Sequence, residues 1–131
     1  MKVNLFFDII RHRLFNPLNS LLYLYLITFL VGCGASSQTL RDAAIDGNLQ
    51  SVKRAVESGA DINNPDPMNG YTPLHLAVAN DHKDVVKYLV DNKAKINILN
   101  KRKETPLDLS TTEATNKFLE KHGAKRAAEL D

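Results

Sequence analysis

The side chains best suited to chemistry are two histidines, His75 and His82, and one cysteine, Cys33. A histidine pair can bind a metal ion or move protons, and a cysteine thiolate can act as a nucleophile. The two histidines lie seven residues apart, with no third ligand at the His-x3-His or Cys-x2-Cys spacing of zinc sites. The sequence also has no phosphate-binding glycine loop and no Gly-x-Ser-x-Gly elbow. We therefore expect no catalytic residue, no metal ligand and no cofactor, in a protein that is not an enzyme.

The most informative pattern is an internal repeat. The run Tyr71-Thr72-Pro73-Leu74-His75-Leu76-Ala77 returns thirty-three residues later as Glu104-Thr105-Pro106-Leu107-Asp108-Leu109. A second run, Gly59-Ala60-Asp61-Ile62-Asn63, returns as Lys93-Ala94-Lys95-Ile96-Asn97 and, shortened, as Gly123-Ala124. A fixed period near this length is typical of stacked repeats, in which each unit buries its apolar face against its neighbours.

Local signals predict two helices in each unit. Thr72 suits an N-cap and Pro73 suits the first helical position, so one helix should begin there and end near Asn80. Residues 84–91 have the spacing of a second amphipathic helix, whose inward positions are Val85, Val86, Leu89 and Val90. Residues 40–63 align as a first unit without Thr-Pro, and the third unit is shortened before Leu119.

On these motifs, residues 38–125 resemble the ankyrin-repeat family. The resemblance implies an all-α solenoid of about three helix-turn-helix repeats with projecting hairpin fingers. The repeats are placed at residues 39–66, 67–99 and 100–125, the last a truncated cap followed by a tail at 126–131. It also implies that His75 and His82 serve the fold. Asp81 and Lys93 stand where the family usually has glycine, which takes positive φ freely, and Asn92 is an alternative left-handed residue beside Lys93.

The family resemblance further implies a protein partner on the concave face, which the finger tips and the exposed sides of the first helices form. The positions carried over by the pattern are Met68, Asn69 and Tyr71 on the first finger, Lys101, Arg102 and Glu104 on the second, and Ile45, Asp46, Ala79, Asn80, Thr112 and Glu113 along the helices. Tyr71 and Arg102 are favoured, because aromatic and arginine side chains contribute disproportionately to interfaces. The basic cluster at 101–103 is either solvated or a contact for an acidic partner. We expect a monomer.

Residues 1–32 do not belong to the repeats. Lys2, Arg11 and Arg13 precede an apolar run over residues 21–31, which ends in Leu30-Val31-Gly32-Cys33. The segment resembles a bacterial lipoprotein signal peptide with its lipobox. The resemblance implies cleavage before Cys33, lipid attachment to its thiol, a tether at 33–38, and anchoring in the bacterial cell envelope. Gly34 after the cysteine favours the periplasmic side of the outer membrane over the inner membrane. An uncleaved membrane anchor is the alternative, although the apolar run is shorter than the about 20 residues that a bilayer requires.

The charge balance does not call for nucleic acid or an acidic membrane as a partner. The chain has 17 basic and 15 acidic side chains, and without Lys2, Arg11, Arg13 and Asp8 of the leader fourteen of each remain. A neutral domain gives no reason to expect nucleic acid as a partner.

Two functions remain open. The first is a membrane-tethered module that holds, inhibits or stabilises a partner protein, immunity against a co-encoded toxin being one version. The second is an assembly accessory that docks through its convex helices around Lys53, Lys87 and Lys117. A cytoplasmic, eukaryote-like ankyrin effector is a third alternative.

Overall fold

The computed structural model describes residues 37–130. Five α-helices form this part of the chain: α1 over residues 37–46, α2 over Leu49–Glu57, α3 over Pro73–Ala79, α4 over Lys83–Asp91 and α5 over Glu113–Lys121. Two 3-10 turns lie at Pro106–Leu109 and Ala127–Glu129. Since residues 37–130 contain no β-strand, the prediction of an all-α solenoid is confirmed.

The helices pack as three successive pairs: α1 with α2, α3 with α4, and the 3-10 turn at Pro106–Leu109 with α5. α3 also contacts that turn and α2 contacts α4, so each pair packs on the next one. The largest apolar side chains that are fully buried are Leu40, Val52, Leu74, Val78, Val85, Val86, Leu89, Leu107 and Leu119. They come from all three pairs and form one continuous core. Interfaces between neighbouring repeats therefore contribute much of the stability.

The Thr-Pro signals mark the first helical turns as predicted. Thr72 is the N-cap of α3, where its hydroxyl accepts the His75 N–H, and Pro73 is the first helical residue. Thr105 caps the third repeat in the same way. Its first helix is reduced to a 3-10 turn, because α5 begins thirty residues after α4 and not a full thirty-three-residue repeat later. In the third repeat, a 3-10 turn of 4 residues thus stands where α3 has 7 residues.

Two predicted segments can be compared with the described residues. Residues 37 and 38, predicted as part of the tether, lie in α1; the Gln38 amide donates to the Asp42 carboxylate at 3.0 Å, and the Arg41 guanidinium donates to Gln38 Oε1 at 2.6 Å. Residues 126–130, predicted as a tail, contact the third repeat, because the Ala127 N–H donates to the Asp108 carboxylate at 2.9 Å. The leader 1–32 and residues 33–36 of the tether, including Cys33, lie outside the described residues. No helix within 37–130 has the length and apolarity to cross a membrane.

The two glycine-type positions behave as glycine positions although neither is glycine. Asp81 has φ 53° and Lys93 has φ 70°, both in the left-handed region. Gly47 and Gly59, their counterparts in the first repeat, have φ 68° and 88°. Asn92 has φ −95°, so the alternative that it replaces Lys93 in the left-handed conformation is wrong. Lys93 itself carries the strained backbone.

Candidate functional site

His75 is a structural residue that joins the second repeat to the third. It is fully buried on α3. The Thr72 N–H donates to Nδ1 at 3.2 Å, and Nε2 lies 3.2 Å from the Glu104 carbonyl oxygen in the next repeat. Because Nδ1 accepts this hydrogen bond, the proton of a neutral imidazole lies on Nε2, which can donate it to the Glu104 carbonyl. A neutral His75 therefore satisfies both contacts. Burial lowers the pKa of His75 below its ordinary value, although the Glu104 carbonyl and carboxylate partly oppose it. The expected structural role is confirmed.

His82 has the corresponding task between the first and second repeats. Its Nε2–H donates to the Ile45 carbonyl at 2.8 Å. The ring lies so close to Gly47 that a Cβ there would come within 2.5 Å of Nδ1. Gly47 therefore has two reasons to be glycine: its positive φ and the histidine ring packed on it.

Asp81 replaces this glycine–histidine contact at the next interface. The hydroxyls of Thr112 and Thr115 each donate to its Oδ1 at 2.7 Å, and Lys83 lies 3.6 Å from Oδ2. The hydrogen bonds from Thr112 and Thr115 lower the pKa of the Asp81 carboxyl group. A carboxylate in a left-handed turn thereby ties the capping repeat to the second repeat, and glycine could not provide that bond.

Two asparagines hold the loops that lead into the fingers. Asn63 Oδ1 accepts the Lys95 N–H at 2.7 Å, and Asn97 Oδ1 accepts the Lys125 N–H at 2.9 Å. Each bond crosses from one repeat to the next at the same position of the pattern. The loops consequently have a fixed spacing along the stack.

The two fingers are closed loops that touch each other. In the first finger, residues 64–71, the Asp66 N–H donates to the Tyr71 carbonyl at 2.8 Å. In the second finger, residues 98–104, the Asn100 N–H donates to the Glu104 carbonyl at 3.0 Å. A third backbone bond, 3.0 Å from the Lys101 N–H to the Asn69 carbonyl, joins the two tips. The fingers therefore form one surface, which we call the finger tips, residues 67–71 and 101–104.

The predicted binding residues in the fingers fall into two groups. Met68 and Arg102 are exposed: Met68 at 80%, and the Arg102 guanidinium has no hydrogen bond or ion pair within residues 37–130. Tyr71 and Glu104 are half-buried; the Tyr71 ring centroid lies 5.9 Å from that of His75, and the Glu104 carboxylate accepts the Asn100 amide at 2.8 Å.

The exposed Asn69 and Lys101 have partners in their own neighbourhood. The Asn69 N–H donates to the Asp66 carboxylate at 2.7 Å, and the Lys101 ammonium donates to the Pro67 carbonyl of the first finger. These bonds fix the backbone of the first finger and draw the Lys101 side chain back along it. The finger tips are thus stiff supports for Met68 and Arg102.

The predicted helical residues lie partly where expected. Ile45 and Asp46 are exposed at the end of α1, Ile45 at 44%, and Ala79 and Asn80 are exposed at the end of α3. The expected position of Thr112 and Glu113 on the first helix of the third repeat is wrong. Thr112 is the N-cap of α5 and Glu113 its first residue, because the third repeat lacks a full first helix. Thr112 serves the bond to Asp81, and Glu113 pairs with Lys117 at 2.7 Å.

From the sequence, Lys103 was named only as part of the basic cluster at 101–103, and its left-handed backbone was missed. Lys103 has φ 60°, and its counterpart Gly70 has φ 76°. A Cβ at Gly70 would lie 3.0 Å from the Lys101 backbone nitrogen, so glycine also lets the two fingers approach. The signal was available: Lys103 aligns with glycine in the second repeat, as Asp81 aligns with glycine in the first.

Asp108 occupies in the third repeat the position that His75 has in the second. Burial acts to raise its pKa, but the Thr105 and Ala127 N–H groups, the Thr105 hydroxyl and Arg126 outweigh it and lower the pKa. The carboxylate is therefore ionised and holds the chain end onto the cap. Within residues 37–130, no group of three histidine, cysteine, aspartate or glutamate side chains is arranged to hold a metal ion.

The fold and the finger tips define a class: a stack of helical repeats that carries stiff, solvent-facing loops on one side. A family model described as ankyrin repeats, in three copies, matches residues 40–125. The chain belongs to the ankyrin-repeat family, whose members are generally non-enzymatic modules for protein–protein interaction.

Similar proteins come from eukaryotes. Ankyrin repeat domain-containing protein 40 of Mus musculus is 37% identical over 82 residues, 63% of this chain and 23% of that protein. Protein phosphatase 1 regulatory subunit 27 of Mus musculus is 39% identical over 70 residues, 53% of this chain and 45% of that protein. The probable E3 ubiquitin-protein ligase XBOS32 of Oryza sativa is 34% identical over 86 residues, 65% of this chain and 17% of that protein. The chain thus spans less than half the length of each of these relatives.

Proposed function

We propose that this protein binds one partner protein through the finger tips and the exposed ends of α1 and α3. It does so as a monomer held on a membrane of the bacterial cell envelope by lipid at Cys33. Its effect on the partner is to hold, inhibit or stabilise it. Immunity against a co-encoded toxin is one form of this function.

The observation that carries the binding proposal is the state of the finger tips. Met68 is 80% exposed and the Arg102 guanidinium is without a partner, yet both stand on loops whose backbones are tied by hydrogen bonds. Stiff loops lose little conformational entropy when a partner binds, so more of the contact energy becomes affinity. On the convex side, in contrast, two exposed lysines already form ion pairs. Lys87 Nζ lies 3.9 Å from the Asp91 carboxylate, and Lys117 Nζ lies 2.7 Å from the Glu113 carboxylate.

The membrane proposal rests on the sequence motif Leu30-Val31-Gly32-Cys33 at the end of a basic and apolar leader. The family match begins at residue 40 and is independent of this motif. Two or more acyl chains on a lipoprotein cysteine give stable anchoring, because each buried methylene contributes about 0.8 kcal/mol. Gly34 favours the outer membrane, on its periplasmic side.

One relative supports the mode of action. The mouse protein similar to this chain over 70 residues is, by its name, a regulatory subunit of protein phosphatase 1. A relative that is a regulatory subunit of another protein agrees with a small module whose task is to inhibit or stabilise its partner. We do not infer that this chain acts on the same phosphatase.

A photo-crosslinking residue at position 68 tests the binding face, with the same residue at position 87 on the convex side as a control. We expect the position 68 variant to crosslink one envelope protein in cells and the position 87 variant to give no such product. The Met68→Ala and Arg102→Ala double variant should then lose that partner from a pull-down. Crosslinks from position 87 alone would exclude the finger tips.

The convex docking role has its own structural feature and stands as the second candidate. α4 and α5 border a groove of about 230 Å³, whose lining includes Val86, Ala114, Phe118 and the lysines Lys83 and Lys87. Lys53 is partly engaged elsewhere, with its ammonium 5.8 Å from the Tyr88 ring centroid. Crosslinks from position 87 or 117, unaffected by the finger variant, would establish this role.

Lipid attachment has a separate test. Cells fed an alkyne-bearing fatty acid should label the wild-type protein, and a Cys33→Ser variant should remain unlabelled at full leader length. Labelling that survives the Cys33→Ser change would place the lipid elsewhere, and equal leader length in both proteins would favour the uncleaved anchor.

A further inference from the structure

The two fingers share one backbone design but differ completely in charge. At equivalent positions the first finger reads Met68-Asn69-Gly70-Tyr71 and the second reads Lys101-Arg102-Lys103-Glu104. The closing backbone bonds, from residue 66 to 71 and from residue 100 to 104, are also similar, at 2.8 and 3.0 Å. Three successive cations therefore occupy the second tip, where the first tip has none.

Lys103 stands there against its backbone preference. Its φ of 60° is a conformation that glycine adopts easily and that a lysine Cβ disfavours. Lys103 is exposed, and its side chain has no hydrogen bond or ion pair within residues 37–130 that would offset the strain. Gly70 takes the same conformation in the first finger. Strained residues that no packing explains are found preferentially at binding sites.

The nearby acids do not neutralise these cations. The Glu104 carboxylate accepts the Asn100 amide at 2.8 Å, and the Asp66 carboxylate accepts the Asn69 N–H at 2.7 Å. Lys101 turns back to the Pro67 carbonyl. Arg102 and Lys103 are left as two unpaired cations on a stiff loop.

An apolar side chain lies on the same surface. Met68 is 80% exposed on the first finger, and the bond from the Lys101 N–H to the Asn69 carbonyl brings the two tips together. Methionine adapts its shape to varied apolar groups and is common on binding surfaces. The finger tips thus present one apolar contact and two cations.

We infer that the finger tips bind an acidic segment of the partner protein, in which carboxylates reach Arg102 and Lys103 and a neighbouring aliphatic or aromatic side chain covers Met68. This inference rests on the proposed function and names the chemistry of its partner. A nucleic acid or an anionic membrane fits less well, because residues 33–131 carry as many acidic as basic groups and only two finger cations are unpaired.

The structure offers a matched pair of variants. Lys103→Gly removes the charge and relieves the left-handed strain. Lys93→Gly does the same at φ 70°, at the end of α4 and outside the fingers. Both variants should raise the melting temperature, whereas only Lys103→Gly should weaken binding. Arg102→Gln combined with Lys103→Gly removes both unpaired cations.

The probe is a library of random twelve-residue peptides displayed on phage and selected on the full-length chain in detergent micelles. The best peptide is then measured by fluorescence anisotropy, beside a dT20 oligonucleotide and phosphatidylglycerol vesicles. We expect selected peptides to combine aspartate or glutamate with an apolar residue. Their affinity should fall about tenfold on the Arg102→Gln and Lys103→Gly variant, more at low salt than at high, and should be unchanged on Lys93→Gly.

Three results would overturn the inference. Selected peptides that lack acidic residues, or that bind the charge variant as tightly as the wild type, refute an acidic partner. If such peptides bind the Met68→Ala variant more weakly than the wild type, the proposed binding face stands. If dT20 or the vesicles bind as tightly as the best peptide and also lose affinity on the charge variant, the finger tips are a general polyanion-binding surface, and the inference is refuted. A failure to select any peptide also refutes a short acidic segment, while the crosslinks from position 68 decide the proposed function separately.

Discussion

His75 offers the sharpest test of the stacking interface between the second and third repeats. In the wild type, the Thr72 N–H and the Glu104 carbonyl each lie 3.2 Å from a ring nitrogen of His75. Replacing His75 with alanine leaves the buried Thr72 N–H and the Glu104 carbonyl without this partner. A buried polar group without a partner destabilises a protein by about 1–3 kcal/mol. We expect His75→Ala to lower the free energy of unfolding by roughly 2–4 kcal/mol, a large share for a domain of this size.

Glutamine is the informative second substitution at this position. It can accept the Thr72 N–H as the third residue of a capping box, so His75→Gln should be destabilising by only about 1 kcal/mol. Glutamine also does not titrate. Because burial lowers the pKa of His75 in the folded protein, the unfolded chain binds more protons once the pH falls below about 6.5. Wild-type stability should therefore be full above that pH and decline below it.

Urea unfolding followed by circular dichroism at 222 nm measures both effects, at pH 7.5 and at pH 5. The comparison avoids the carboxylates, since Asp81 and Asp108 have pKa values lowered from 3.8 and lose their contributions only in stronger acid. Wild type should lose more stability than His75→Gln between the two pH values. The reasoning is refuted if His75→Ala is within about 1 kcal/mol of wild type, or if His75→Gln keeps the full pH dependence.

Further substitutions test the remaining interfaces by thermal unfolding. Gly47→Ala should lower the free energy of unfolding by about 1–3 kcal/mol, because the new Cβ would lie 2.5 Å from the His82 ring. Gly59 also has a positive φ, but a Cβ there would have nothing within 4 Å, so Gly59→Ala should lower the free energy of unfolding by less. Equal losses would mean that the ring contact is unimportant. Lys93→Gly should gain about 1 kcal/mol by relieving φ 70°, and a lower melting temperature would contradict this. Leu119→Ala, fully buried in the cap, should lose about 2–5 kcal/mol, and a smaller loss would show that the cap is not needed.

Features set by neighbouring residues could be predicted from the sequence. Thr72 with Pro73, and Thr105 with Pro106, begin helical turns because a capping side chain and a fixed φ act within one turn. The left-handed backbone at Asp81 followed for the same reason, since alignment with glycine reveals the conformation that the turn requires.

Features that depend on a gap in the pattern or on a distant partner could not be predicted. The third repeat lacks residues between its first turn and α5, and equal spacing therefore misplaced Thr112 and Glu113 on the first helix. The bond from Asp81 to Thr115, across 34 residues, exists only once the cap has docked. Tyr71 was expected at an open tip, yet its ring turns toward His75, because the side-chain direction depends on the neighbouring repeat.

The central claim, that the finger tips bind a partner protein, is tested most directly by capture from cells with three epitope-tagged full-length proteins. These are the wild type, the Met68→Ala and Arg102→Ala variant, and a matched convex variant, Lys87→Ala and Lys117→Ala. Interface anchors of this kind contribute about 2 kcal/mol or more, which corresponds to roughly a thirtyfold loss of affinity. We predict that quantitative mass spectrometry finds one envelope protein with the wild type and the convex variant, and loses it with the finger variant. Capture by the finger variant and loss with the convex variant would contradict the account.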